Sequence, residues 1–176
     1  MLKDLQRKTR HDMLTGVYNR NFYEANIKNQ SFTGGVAIFD IDNFKLCNDT
    51  KGHGAGDELL VRVSQIIKSE ITDNDKLIRY GGDEFLLVLP GIERAAFLAK
   101  LDRIREQLHT ASVPGYSRLQ LSASIGGVIT QPGETVEQAV SRADKLVYQI
   151  GRATRREREE MSEVAVPLKK KDTHKD

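Results

Sequence analysis

Apolar residues recur along this chain with two different periods, and the order in which the periods alternate predicts an α/β (α+β) domain. Over residues 56–71, Leu59, Leu60, Val63, Ile66, Ile67 and Ile71 fall on one stripe of a helix, and over 93–108 Phe97, Leu101, Ile104 and Leu108 repeat that spacing. Around these stripes lie apolar runs of strand length. Residues 36–40 form one, and Phe85-Leu86-Leu87-Val88-Leu89 forms another, closed by Pro90-Gly91. Leu77 and Ile78 precede the second run across a pair of glycines, so the two read as a hairpin whose second strand is buried. Leu119, Leu121, Ala123 and Ile125 alternate as a further strand. Residues 18–29 suit a short helix, and Thr135-x-x-Gln138 has the form of a capping box opening a last one. The chain carries no internal repeat.

Candidate chemistry gathers where these elements end. Arg79-Tyr80-Gly81-Gly82-Asp83-Glu84-Phe85 sets two adjacent carboxylates directly after two glycines, which permit a tight turn and close approach of a ligand to the backbone. Taken alone, this is the composition of a solvated loop. A second acidic pair changes the weighing. Val36-Ala37-Ile38-Phe39-Asp40-Ile41-Asp42 ends in Asp-x-Asp, and strand alternation places Asp40 and Asp42 on one face if the strand persists that far. If the two strands are sheet neighbours the carboxylates converge, and hard oxygen ligands of this kind suit Mg²⁺ with its waters and substrate phosphates.

These motifs resemble those of the GGDEF family, the catalytic domain of diguanylate cyclases, which join two GTP molecules into cyclic di-GMP. Asp12-Met13-Leu14-Thr15-Gly16-Val17-Tyr18-Asn19-Arg20 matches the family's opening motif D-x-L-T-G-L-x-N-R, with Val17 in place of leucine. Phe39-Asp40-Ile41-Asp42-Asn43-Phe44-Lys45, Asn48-Asp49, Gly52-His53 and Gly56-Asp57 follow in the family's order and spacing, and the signature turn is unaltered. The resemblance implies a central, mostly antiparallel sheet flanked by helices, similar to the palm of nucleotidyl cyclases and polymerases. It implies that Asp40, the backbone carbonyl of Ile41 and Glu84 are metal ligands, with Asp83 a further ligand or the group that helps deprotonate the attacking hydroxyl. Asp83 and Glu84 are then the catalytic pair, and two Mg²⁺ (or Mn²⁺) ions per active site are the cofactors.

The same resemblance places Asn48 and Asp57 on guanine, with Asp57 accepting from the N1 and N2 donors that adenine lacks. Phe44 and Lys45 join the substrate site, Lys45 against the phosphates, and Arg155 meets the terminal phosphates. Plainer readings exist for three of these: Asp57 as a helix cap, Asn48 as a turn former and Lys45 as a solvated charge. The reaction explains the residue types. A ribose 3′-hydroxyl attacks an α-phosphorus in line with departing pyrophosphate, and metal ions activate the nucleophile while stabilising the leaving oxygens. An Asp with a pKa of about 3.9 is a weak base at neutral pH, so polarisation of the hydroxyl outweighs the basicity of Asp83. Because each site holds one nucleotide with one reactive hydroxyl, ring closure calls for two sites face to face, hence a homodimer.

Two departures from the family pattern stand out. The family's R-x-x-D, where the product binds and inhibits, falls on Thr72-Asp73-Asn74-Asp75, so Asp75 remains while Thr72 offers no bidentate guanidinium. Weak or absent product inhibition follows as an expectation. In the last helix the phosphate-facing lysine falls on Gly151 and the family's glycine on Thr154, leaving Arg152 as a substitute cation. These departures sustain a rival reading, a catalytically weak or inactive module that binds GTP or a partner protein as a sensor. A narrower alternative, synthesis of an adenine-containing dinucleotide, is disfavoured by Asp57.

Composition removes other classes. The 176 residues, 39% hydrophobic, suffice for one core. Net charge is +2, yet residues 21–151 carry more acidic than basic side chains, so positive charge is not concentrated where a nucleic-acid binder needs it. There is no P-loop motif, no dinucleotide fingerprint and no spaced histidine partner for His11 or His53. Single Cys47 fits a reducing cytoplasm, and no apolar run has the length of a membrane span or a signal peptide. The expected organisation is an N-terminal helical extension or linker over 1–11, the GGDEF domain over 12–156, and a charged, disordered tail over 157–176. An upstream sensory domain is a further expectation from the family.

Overall fold

The computed structural model describes residues 2–3, 9–116, 118–150 and 164–166, with β1 (Gly34–Ile41) at the centre of a five-stranded sheet. β2 (Lys76–Arg79) and β3 (Glu84–Pro90) form the expected hairpin, and β3 pairs with one edge of β1. β4 (Ala123–Ile129) pairs with the other edge and carries β5 (Val164–Val166) outside it. The order is β2-β3-β1-β4-β5 and all neighbours are antiparallel.

Helices cover both faces. α1 (Arg20–Phe22) runs on into a π-helical turn, Tyr23–Ile27; α2 (Phe44–Lys51), α3 (His53–Ser69), α4 (Arg94–Thr110) and α5 (Val136–Ile150) follow. Phe39, Phe85 and Leu87 pack with Leu60, Ile67, Phe97 and Leu101 of α3 and α4. On the other face Val36, Ile38, Leu86 and Val88 meet Phe22 and Ile27 near α1 and Ala139, Val140 and Ala143 of α5. Two-sided burial is why these strands read as continuous apolar runs. Each buried Leu, Ile, Val or Phe contributes about 1.5–3 kcal/mol. Because a one-residue slip would turn every side chain to the wrong face, the two layers fix the register of β1 against β3.

Several expected boundaries move. The strand anticipated across Leu119, Leu121, Ala123 and Ile125 begins only at Ala123 and runs on through Gly126 and Gly127 to Ile129. Its partner decides this: β1 ends at Ile41 opposite Ala123, and Asn43, with φ of 57°, turns the chain away. The helix expected over 18–29 starts at Arg20, where the Asn19 side chain accepts from the Phe22 N–H at 2.9 Å, and continues in π form. α2 was not anticipated, and α3 opens three residues earlier than the apolar stripe. The capping box stands as read, with Thr135 N–H donating to Gln138 Oε1 at 3.0 Å and Gln138 N–H to Thr135 Oγ1 at 3.3 Å. Within the 157–176 segment expected to be disordered, Val164–Val166 instead adds an edge strand, as its two β-branched residues favour. The rest of that segment, with Gly151, Arg152, Thr154 and Arg155, lies outside the described residues.

Candidate active site

The register sets Asp40 of β1 directly opposite Glu84, the first residue of β3, so both carboxylates leave the same face at one end of the sheet. Asp83 precedes Glu84 in the turn, and its carbonyl accepts from the Ile41 N–H at 3.0 Å, which ties the two strand ends together. Burial pushes the Asp40 carboxyl above its usual range, and the charges of Asp83, Asp42 and Asp144 push it further. Burial likewise raises Glu84, followed by Asp40, Asp144 and Asp83, while Arg20 opposes the shift. No hydrogen bond from a described residue relieves either carboxylate. The described residues contain no group of three or more His, Cys, Asp or Glu side chains gathered as a metal cage. What they offer is a sparse oxygen donor set whose negative charge is opposed only by Arg20 at Glu84, the kind that Mg²⁺ accepts when phosphates and water complete its shell.

Asp42 lies on the Asp40 face, as the spacing predicted: its N–H donates to the Ser122 carbonyl at 3.0 Å, and its carboxylate meets Ser124, the residue opposite Asp40. It sits in the turn after Ile41, where Oδ2 accepts from Ser122 Oγ at 2.7 Å and Oδ1 from Ser124 Oγ at 2.8 Å. Both oxygens are engaged in holding the approach to β4, so Asp42 is an anchor with an electrostatic effect on Asp40.

From that corner α2 carries the second group of expected residues. Phe44 is half-buried and Lys45 is exposed on the first turn. Asn48 lies on α2, not in a turn, and its Oδ1 is buried without a hydrogen-bond partner. Gly56 makes the room: a Cβ there would lie 1.9 Å from Asn48 Oδ1. A buried acceptor left unpaired costs about 1–3 kcal/mol, so a donor arriving at this cradle recovers that penalty. Asp57 is exposed inside α3, past the Gly52 cap at its start, and therefore does not cap the helix. Asp75, by contrast, closes a local turn: its Oδ2 accepts from the Thr72 N–H at 2.9 Å and Thr72 Oγ1 at 3.2 Å.

Sequence reasoning left three participants out of the site. Arg20 places its guanidinium 3.8 Å from the centroid of the Tyr80 ring and donates to the Tyr80 carbonyl at 3.1 Å, beside the signature turn. Tyr23, set by the π turn, meets the same ring edge-on at 5.1 Å. Arg20 closes the opening motif and so was legible as a motif residue, but its meeting with Tyr80 and Tyr23 is made only in three dimensions. Asp144 on α5 adds negative charge to Asp40 and Glu84.

An antiparallel sheet with an acidic pair on its two central strands, beside a helix-borne polar cradle, is the architecture of a nucleotide-handling palm. The family described as diguanylate cyclase, GGDEF domain, matches residues 9–157. This chain belongs to that family. It is 34% identical over 154 residues to diguanylate cyclase DgcS of Shewanella oneidensis, a match spanning 84% of this chain and 51% of DgcS. With the probable diguanylate cyclase DgcC of Escherichia coli K12 it shares 30% identity over 159 residues, 86% of this chain and 43% of DgcC. The chain thus spans about half the length of the curated relatives it matches. Its fold superposes with a TM-score of 0.76 on the coiled coil and GGDEF domain of DgcB from Caulobacter crescentus, solved with c-di-GMP, at 27% identity over 86% of this chain and 85% of that one. Diguanylate cyclase SiaD of Pseudomonas aeruginosa, solved with its activator SiaC, gives 0.72 at 35% identity over 84% of this chain and 60% of SiaD.

Proposed function

We propose that this chain is a diguanylate cyclase domain that condenses two GTP into cyclic di-GMP with release of two pyrophosphates. The observation that carries the reading is the Asp40–Glu84 pair, set opposite each other across β1 and β3, with no hydrogen bond from a described residue to either carboxylate and only the charge of Arg20 opposing the shift at Glu84. Asp40, Glu84 and the Ile41 carbonyl would hold Mg²⁺ or Mn²⁺, two ions per site, with Asp83 beside them. Bound there, the ions would lower the pKa of the attacking 3′-hydroxyl and neutralise charge on the phosphates.

The protein's own groups supply orientation. Asn48 Oδ1 and the Asp57 carboxylate are two acceptors on adjoining helices, matching the N1 and N2 donors of guanine and mismatching adenine. Phe44 walls the base side and Lys45 neutralises phosphate charge, as would Arg155. A homodimer brings two such half-sites together, each presenting one 3′-hydroxyl to the other's α-phosphorus. Cytoplasmic GTP is the substrate, and among the described residues no helix is long and apolar enough to cross a membrane.

The test is incubation of the full chain with GTP, ATP and Mg²⁺ over a range of protein concentrations, with products separated by mass. Cyclic di-GMP and pyrophosphate, forming with a rate that rises faster than linearly in protein, are expected. GTP binding without pyrophosphate release over hours at high concentration would replace this reading with the sensor.

A further inference from the structure

The signature turn is held from outside its own hairpin. Arg79, the last residue of β2, donates through Nε and Nη2 to the Gly82 carbonyl at 3.3 and 2.9 Å. Through Nη1 the same guanidinium donates to both carboxylate oxygens of Asp12 at 3.1 and 3.3 Å. Asp12 is itself fixed, its Oδ2 accepting from Thr15 N–H at 2.9 Å and Thr15 Oγ1 at 2.7 Å. Backbone bonds from Asp12 N–H to the Val17 carbonyl at 2.7 Å and from Gly16 N–H to the Asp12 carbonyl at 2.8 Å close the loop from 12 to 17. That loop is laced onto β2, Tyr18 N–H donating to the Leu77 carbonyl at 3.1 Å and Arg79 N–H to the Tyr18 carbonyl at 2.8 Å. Both side chains of the Asp12–Arg79 pair are mostly buried, at 18% and 21% exposure, which favours a persistent charge-assisted link over a screened one.

A turn built on two glycines has no side chains to order it and more conformational freedom than any other dipeptide. Its internal restraints are the N–H groups of Tyr80 and Gly81, which both donate to the Glu84 carbonyl, at 2.8 and 3.2 Å. Asp83 is thus held on both sides, its own carbonyl by the Ile41 N–H at 3.0 Å and the peptide before it by the grip of Arg79 on the Gly82 carbonyl. We infer that Arg79 is a positioning residue which, by bridging Asp12 to the Gly82 carbonyl, makes the geometry of Asp83 and Glu84 depend on the closed loop from 12 to 17. The inference deepens the cyclase reading and rests on it for its catalytic consequence. It also names a route of regulation: the chain enters this loop from its N-terminal side, where Asn19 Nδ2 donates to the Thr9 carbonyl at 3.2 Å and His11 Nδ1 to the Gly16 carbonyl at 3.0 Å. A twist or pull applied upstream reaches β2 through Tyr18 and Tyr80 through Arg20, and the Gly82 carbonyl through the Arg79 guanidinium.

The test uses the full chain with Arg79→Ala, Arg79→Lys, Asp12→Asn and the Arg79→Ala/Asp12→Asn double variant. Amide hydrogen exchange is read at residues 81–84 and, as a control, along α3. Exchange in the turn should quicken about tenfold or more in Arg79→Ala and Asp12→Asn, no further in the double variant, and stay unchanged in α3. Arg79→Lys, which keeps the charge but not the fork, should fall between. In the cyclase assay kcat should drop about tenfold or more while KM for GTP moves less than about threefold. An unchanged turn, a uniform rise across the domain, or a loss confined to KM would each overturn the inference. If the native chain releases no pyrophosphate, the cyclase reading fails while the exchange measurement still decides the role of Arg79. Should Arg79→Ala not fold, Asp12→Asn and Arg79→Lys decide it by the same readings.

Discussion

Replacing Glu84 by Gln should make the metal-free domain more stable and abolish its chemistry. Asp40 and Glu84 stand directly opposite on neighbouring strands, and like charges so placed cost about 0.2–1 kcal/mol. For a chain of this size about 1 kcal/mol moves Tm by about 2–4 °C. Glu84→Gln is nearly isosteric, so in EDTA at neutral pH its Tm should exceed the native value by about 0.5–4 °C. The pH dependence has a fixed sign. Asp40 and Glu84 are raised above their unfolded values, so their ionised forms destabilise the fold above that raised range, and the cost disappears as pH falls through it. The gap between variant and native should therefore close on acidification. Added Mg²⁺ should raise native Tm and leave the variant almost unmoved, because only the native site has both carboxylates. A variant less stable than native in EDTA at neutral pH, or a gap that widens in acid, would refute the claim that repulsion within this pair outweighs the opposing charge of Arg20.

Three other outcomes are expected. A Cβ at Gly81 would lie 2.5 Å from Glu84 Oε1, whereas none of the surrounding atoms comes within 4 Å of one at Gly82. Gly81→Ala should thus swing the Glu84 carboxylate aside and cut turnover about tenfold with little loss of Tm, and Gly82→Ala should cost less; equal losses would count against the geometry. Arg142 donates to both oxygens of buried Glu134 at 2.7 and 2.8 Å, and these bonds hold that carboxyl below its usual range. Arg142→Ala should cost about 3 kcal/mol in urea unfolding and Arg142→Ala/Glu134→Ala less, an ordering that a purely additive pair would not give. Because Asp75 is engaged by Thr72 and no arginine stands at position 72, calorimetric titration should detect weak or no cyclic di-GMP binding there. Micromolar binding lost in Asp75→Ala would contradict this.

The period of the apolar residues was enough to place α3, α4, the hairpin and the first strand, because elements buried on one stripe or on both faces must repeat at 3.6 or run unbroken. It was not enough for α2, whose Phe44-Lys45-Leu46-Cys47 start has too few buried positions to make a stripe, Cys47 being the one that is buried. Nor did it start the strand at Ala123, since the alternation of Leu119 and Leu121 carries on beyond Ser122, whose carbonyl takes the Asp42 N–H just past the end of β1. At the site the spacing was enough to put Asp42 on the Asp40 face, but not to show that Ser122 and Ser124 take its carboxylate, a contact made only across the sheet.

Sequence alone determined the candidate groups for the proposed chemistry: the acidic residues at 40, 83 and 84, the polar pair at 48 and 57, and the glycines beside them. Tertiary structure alone decided which of them face each other. Asp40 meets Glu84 because two packed layers lock one register out of several, Asn48 becomes a buried acceptor because Gly56 leaves it space, and Arg79 reaches Asp12 across most of the domain's early sequence. Such contacts join residues far apart in the chain, and the energy that selects them comes from burying the core, a property of the whole fold that no local pattern contains.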